Sequence, residues 1–170
     1  TGYGDEQGDT PLRKALSDFY KREYGVTLEA EEFFVSDGAK ADAANIQQIF
    51  SADSIVAVQD PAYPVYVDSN VAGGRSEGYD EKEGQYKNLV YMPSNEENGF
   101  VAEPPKEHVD LIYLCFPNNP TGAVATKEQL EKFVSYAIRE KAIIIYDAAY
   151  CDYIRTPGYV HTINEVEGAE

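Results

Sequence analysis

Four short apolar runs recur along this chain with helical or polar stretches between them, and that alternation restricts its fold more than any other feature. The runs are Phe33-Phe34-Val35, Ile55-Val56-Ala57-Val58, Leu111-Ile112-Tyr113-Leu114-Cys115 and Ala142-Ile143-Ile144-Ile145-Tyr146. All four read as strands, and the last three are continuous enough to be buried on both faces, as in a parallel sheet covered by helices. Residues 11–24 place Leu12, Ala15, Leu16, Phe19 and Tyr20 at three- and four-residue intervals, with Gly25 as a stop, which predicts an amphipathic helix. Residues 41–50 and 127–141 carry the same periodicity, and Thr126 with Gln129 fits a capping box. The expected fold is α/β: a three-layer αβα arrangement around a mostly parallel, doubly wound sheet, incomplete at the C-terminus. Residues 73–105 break the rhythm, being rich in Gly, Asn, Glu and Pro around the short strand-like Leu89-Val90-Tyr91. A stretch of that length without a core pattern is often functional or mobile.

A length of 170 residues suits one compact domain, or part of one. Fourteen basic residues against thirty acidic ones give a formal charge of −16, which would repel nucleic-acid phosphates. No apolar run approaches the ~20 residues that span a membrane, and no signal peptide opens the chain, so a cytoplasmic protein with no membrane partner is expected. Cys115 and Cys151 lack metal or redox spacing and read as small buried hydrophobes, while His108 and His161 have no partners at ligand spacing, so no metal site is expected.

Ligands of an open α/β sheet sit outside the carboxyl ends of its strands, so the strand ends are where chemistry is sought. The first run continues as Ser36-Asp37-Gly38-Ala39-Lys40 into a helix, offering free amides to an anion such as phosphate or, equally, a simple N-cap. The second ends as Gln59-Asp60-Pro61-Ala62-Tyr63-Pro64-Val65-Tyr66, where two prolines fix Tyr63 either as an aromatic plate or as a core tyrosine at a turn. The third ends as Cys115-Phe116-Pro117-Asn118-Asn119-Pro120-Thr121-Gly122, which is good turn chemistry and also fixes an amide donor. The fourth ends as Tyr146-Asp147-Ala148-Ala149-Tyr150. A carboxylate directly after an apolar run needs a cationic partner, either a protonated heteroaromatic ring or a structural arginine.

Taken together, these pieces resemble the fold-type I aminotransferases, and most closely the LL-diaminopimelate aminotransferase family. The resemblance rests on Gly2-Tyr3-Gly4-Asp5-Glu6-Gln7-Gly8 with Leu12-Arg13, on Ser36-Asp37-Gly38-Ala39-Lys40, on Asp60-Pro61-Ala62-Tyr63-Pro64-Val65-Tyr66, on Pro117-Asn118-Asn119-Pro120-Thr121-Gly122 and on Tyr146-Asp147-Ala148-Ala149-Tyr150. These occur in family order over nearly the whole chain. The Asn-Pro-Thr-Gly element is common to many aminotransferases, whereas the combination of five is specific.

The resemblance implies a pyridoxal 5'-phosphate enzyme. Asp147 would pair with the pyridine nitrogen, Tyr150 and Asn119 would bond the phenolic oxygen, and Tyr63 would stack on the ring. Amides of Ala39 and Lys40 would hold the phosphate, and Tyr3 would reach the cofactor of a partner subunit, making a homodimer part of the site. Lys40, Tyr63 and Asn119 would also meet substrate, and Glu96, Asn98 and Phe100 would contribute to a recognition surface. The implied reaction moves an amino group between LL-2,6-diaminopimelate and 2-oxoglutarate, in lysine biosynthesis. Residues 1–170 would be part of the cofactor-binding large domain, with the small C-terminal domain absent. Both chain ends look cut from something longer, and the Schiff-base lysine, expected on the strand after Asp147 in a Ser-Phe-Ser-Lys-like motif, is missing, as is the later substrate-carboxylate arginine. The piece alone would then be inactive. Alternatives are another fold-type I enzyme, such as an aspartate-type transaminase or a carbon-sulfur lyase, and a non-catalytic binding module.

Overall fold

A computed structural model describes residues 2–170, which form two compact units, the first ending at Asp42 and the second running from Ala43 to Glu170.

In the first unit α1 (Thr10–Tyr24) starts with proline in its first turn and ends at Gly25, whose left-handed φ of 70° lets its amide bond the Tyr20 carbonyl. The expected apolar stripe is only partly covered, Leu12 being 46% exposed; the one buried residue of the helix is Arg13. Its guanidinium donates to the carbonyls of Gly8 (3.0 Å) and Ala30 (3.1 Å) and to Asp5 Oδ2 (3.0 Å), tying the N-terminal segment and the short 3-10 turn Ala30–Glu32 to the helix. The expected strand at residues 33–35 does not form. Phe34 is 74% exposed, and this stretch is held by one bond from the Val35 amide to the Gln7 carbonyl (2.8 Å) rather than by a ladder. Three apolar residues following a helical turn are too few to open a paired strand of their own. The next helix is also shorter than residues 41–50: α2 (Ala39–Asn45) gives way to a 3-10 turn at Ile46–Ile49.

The second unit holds a four-stranded, wholly parallel sheet in the order β4-β1-β5-β6, formed by β1 (Val56–Asp60), β4 (Leu89–Pro93), β5 (Leu111–Cys115) and β6 (Ile143–Asp147). Helix α3 (Pro64–Ala72) follows β1, and α4 (Lys127–Glu140) joins β5 to β6. Side chains alternate between two cores, as the two-residue period of a strand requires. Val56, Val58, Leu111, Tyr113 and Cys115 pack with Tyr66 of α3; Ala57, Ile112 and Leu114 pack with Leu130, Phe133 and Val134 of α4. Helices thus cover opposite faces, the three-layer α/β arrangement expected from the alternation.

Two expectations about this sheet need correction. The strand-like Leu89-Val90-Tyr91 is no isolated piece but part of the strand paired with β1, and the surrounding residues add a small antiparallel pair, β2 (Tyr79–Asp80) with β3 (Gln85–Tyr86), and a 3-10 turn at Glu96–Asn98. And β6, read as buried on both faces, has Ile143 49% exposed and its other residues half-buried, since it pairs on one side only, with β5.

The capping box at α4 is as expected: Gln129 donates its amide to Thr126 Oγ1 (3.2 Å) and accepts the Thr126 amide on Oε1 (2.9 Å). Thr126→Ala is expected to lower unfolding stability by about 1 kcal/mol, measured by urea denaturation. Among the described residues, no helix is long and apolar enough to cross a membrane.

Candidate active site

The winding of the sheet decides where a ligand would sit. From β1 the chain passes through α3 to β4 on one side of β1, and from there to β5 on the other side, so the order reverses between β1 and β5. Strands flanking such a reversal splay apart at their carboxyl ends, leaving a crevice. The pairing shows the splay: β1 and β5 are in register from Val56↔Leu111 to Val58↔Tyr113, and beyond that the side chain of Gln59 takes over, its Oε1 accepting the Cys115 amide at 2.7 Å.

Three strand-end loops border this opening. After β1, Asp60-Pro61 leads to Tyr63, which is the N-cap of α3. After β5, the buried Asn118 donates through Nδ2 to the Pro61 carbonyl (3.3 Å) and to Thr121 Oγ1 (3.0 Å), lashing the two loops together. Its amide bonds the Ala123 carbonyl (2.8 Å) and its carbonyl accepts the Gly122 amide (2.7 Å), closing a tight turn in which Asn119 is half-buried. Asn118 Oδ1 is buried without a partner among the described residues.

After β6 comes Asp147, opposite Cys115 in register. Its Oδ2 accepts the Tyr66 hydroxyl at 2.7 Å and its Oδ1 accepts the Ala149 amide at 3.0 Å. No ion pair among the described residues involves it. The structural arginine weighed as its partner is therefore not found; neutral donors hold a carboxylate that keeps its negative charge. Burial first, and then the Asp147 hydrogen bond, push the Tyr66 phenol far above its ordinary range, so it is a neutral donor at any physiological pH. Burial also pushes the Cys115 thiol up, against the Asn119 amide, which pulls it down.

The Tyr66 ring links these parts. It lies 1% exposed, stacked on Tyr113 (centroids 5.1 Å apart, 25° between planes) and edge-on to Tyr63 (5.8 Å, 82°). Tyr63 and Asp147 are thus neighbours of one buried side chain, at the same end of the sheet. Tyr150 follows in the turn after β6, largely exposed, its ring 6.3 Å from that of Tyr153.

The remaining expected residues stand as follows. Glu96, Asn98 and Phe100 follow the carboxyl end of β4; Asn98 spends its side chain on the Pro93 carbonyl (2.7 Å) and the Asn95 amide (2.9 Å), holding the loop, while Phe100 is exposed with φ of 61°. In the first unit, Tyr3 is fully exposed, and Ala39 and Lys40 are exposed in the first turn of α2. Ser36 Oγ there accepts the Gly38 amide (3.2 Å) and donates to Asp42 Oδ2 (2.6 Å). Cys115 is buried as expected, but Cys151 is only half-buried.

Two residues of the cluster were not foreseen. Reading Pro64 as a lock on a loop hid a helix that begins there, and with it Tyr66, one turn beyond Tyr63; proline at a first helical position was the available signal. Gln59 is the one polar residue inside the apolar register of β1, a signal that points to a bond across the sheet.

An anionic carboxylate without a cation, an aromatic ring beside it and a crevice at a winding reversal suit a flat cationic heteroaromatic group. Comparison with known proteins gives the same direction. Residues 1–169 match the family model described as aminotransferase class I and II. The chain is 54% identical over 170 residues to the LL-diaminopimelate aminotransferase of Methanosphaera stadtmanae and 54% identical over 168 residues to that of Prochlorococcus marinus. In both cases the match takes in 99% of this chain and 41% of the relative, so the chain spans well under half the length of these enzymes. Among solved structures, L,L-diaminopimelate aminotransferase from Chlamydomonas reinhardtii superposes with a TM-score of 0.90 at 42% identity, over 99% of this chain and 41% of the other.

Proposed function

Because this chain belongs to the class I and II aminotransferases, we propose that it forms part of the cofactor-binding large domain of a pyridoxal-phosphate enzyme that exchanges an amino group between LL-2,6-diaminopimelate and 2-oxoglutarate. The single observation that carries the cofactor assignment is Asp147, ionised, held by neutral donors and set beside the Tyr66–Tyr63 ring pair at the crevice. The relatives of the same substrate class at 54% identity support the choice of substrates.

In this reading Asp147 faces the pyridine nitrogen and keeps a proton there. Tyr63 covers one face of the ring and excludes water from it. Asn119 and Tyr150 donate to the phenolic oxygen, Ala39 and Lys40 hold the phosphate through their amides, and Tyr3 serves a partner subunit of a homodimer. Lys40, Tyr63 and Asn119 also border the substrate. Pyridoxal phosphate, when bound, supplies an electron sink for the charge left when the substrate's Cα proton is removed. The residue that moves that proton is a lysine supplied by the whole protein outside this chain. The small-molecule substrates and a cytoplasmic location belong to the same proposal.

The test is an amino-transfer assay on the whole protein with LL-diaminopimelate, aspartate and cystathionine as alternative donors. Turnover with 2-oxoglutarate should be fastest for LL-diaminopimelate. Preference for aspartate, or cleavage of cystathionine, would overturn the substrate assignment, and absence of pyridoxal phosphate from the purified protein would overturn the cofactor.

A further inference from the structure

We infer that Tyr66 is a positioning residue that holds Asp147 and Tyr63 as a single clamp on the cofactor ring; the inference rests on the cofactor reading above. A carboxylate at the end of a strand rotates freely about its side-chain bonds unless something fixes it, and a rotating carboxylate cannot keep one oxygen aimed at one ring atom. Asp147 is fixed at both oxygens. The Ala149 amide holds Oδ1 from within the same turn (3.0 Å), and Tyr66 holds Oδ2 from a different element, the helix after β1 (2.7 Å). The second bond spans 81 residues of sequence and sets the plane of the carboxylate relative to the rest of the crevice.

Tyr66 can do this because it cannot itself move. Its ring is 1% exposed and stacked between α3 and the sheet on Tyr113, whose own hydroxyl donates to the Ala43 carbonyl (3.3 Å). It cannot ionise either, since burial and the carboxylate both favour the neutral phenol, so the donor role is permanent. The edge of Tyr63 meets the same ring at 5.8 Å, and an edge-on contact resists tilting of either partner. The group that would cover the cofactor face and the group that would meet its nitrogen are thus indexed to one buried phenol. Cys115, opposite Asp147 in register, fills the space on the other side of the hydroxyl without competing for the bond, since its thiol donates to the Pro117 carbonyl at 3.3 Å.

The measurable consequence is selectivity for the ring nitrogen. In the whole protein freed of cofactor, dissociation constants are measured for pyridoxal phosphate and for its 1-deaza analogue, which carries C–H where the nitrogen stands. A carboxylate aimed at that atom makes the native protein prefer pyridoxal phosphate. Tyr66→Phe keeps the ring and its stacking and removes only the donor; it is expected to shrink this preference about tenfold, equivalent to about 1.4 kcal/mol. Tyr66→His, which retains a donor, is expected to keep more of the preference than Tyr66→Phe. Tyr113→Phe, which removes a buried hydroxyl that does not touch Asp147, is expected to leave it unchanged.

An undiminished preference in Tyr66→Phe, while Asp147→Asn abolishes it, overturns the positioning role and leaves the cofactor reading standing. Equal losses in Tyr66→Phe and Tyr113→Phe, or in Tyr66→Phe and Tyr66→His, mark the effect as one of packing and also overturn it. If Asp147→Asn itself leaves the preference intact, the cofactor reading fails and this inference with it.

Discussion

Asp147→Asn is expected to weaken pyridoxal phosphate binding by about a hundredfold or more and to depress amino transfer further still. Asparagine is nearly the same shape, and its carbonyl oxygen can still accept the Tyr66 hydroxyl, so the change removes charge while the aromatic packing around it survives. Breaking a buried pair by removing one charged partner costs about 3–5 kcal/mol, which is about two to three powers of ten in affinity. The effect on rate adds to this because charge stabilisation in the transition state is worth about a hundredfold to a thousandfold per well-placed group. Fluorescence titration of the cofactor and a steady-state assay read the two quantities separately. A variant that folds, binds as tightly as the native protein and turns over normally would remove Asp147 from the site.

Arg75→Ala is expected to destabilise the second unit by about 3–5 kcal/mol, without any direct contact with the candidate cluster. The Arg75 guanidinium is 95% buried and bonds no carboxylate; it donates instead to the carbonyls of Gln47 (2.8 Å), Phe50 (2.9 Å) and Ser51 (2.9 and 3.1 Å), and to the Gln47 side chain. These carbonyls close the 3-10 turn Ile46–Ile49 and the residues after it, so one side chain satisfies acceptors that the turn leaves orphaned. Alanine would strand several of them in a void, at about 1–3 kcal/mol for each unsatisfied group, only partly relieved by entering water. Gly73 belongs to the same arrangement, since a Cβ there would stand 2.7 Å from Gln47 Oε1 and 3.1 Å from an Arg75 nitrogen. Arg75→Lys should recover part of the loss at most, because an ammonium cannot reach a fan of carbonyls that a planar guanidinium spans. Urea denaturation followed by circular dichroism measures all three.

What could be read from the residues followed burial. Strands β1, β5 and β6 were legible because each is an apolar run flanked by turn residues, and α1 and α4 because their caps and periodicity agree. Strand β4 was blurred because Leu89–Pro93 mixes Tyr, Met and Pro and sits in a polar, glycine-rich neighbourhood; its identity comes from pairing with β1, which no local pattern announces. The failed strand at residues 33–35 is the converse case, an apolar run with no partner strand to pair with. In the candidate site, Asp147, Asn119 and Tyr63 stood out as residue types at strand ends, whereas Tyr66 looked like an ordinary core tyrosine. Only a contact between residues 81 positions apart distinguishes it.

The side-chain stitch between Gln59 and the Cys115 amide has a dynamic corollary. Where a parallel sheet is laced by its backbone, parting two strands means releasing a whole row of bonds together. Past Val58 and Tyr113 the row has already ended, and a single flexible amide bridges the last step. The mouth between these strands can therefore breathe by a rotamer change while the lower half of the sheet stays clasped, giving a molecule rigid at its floor an entrance of adjustable width.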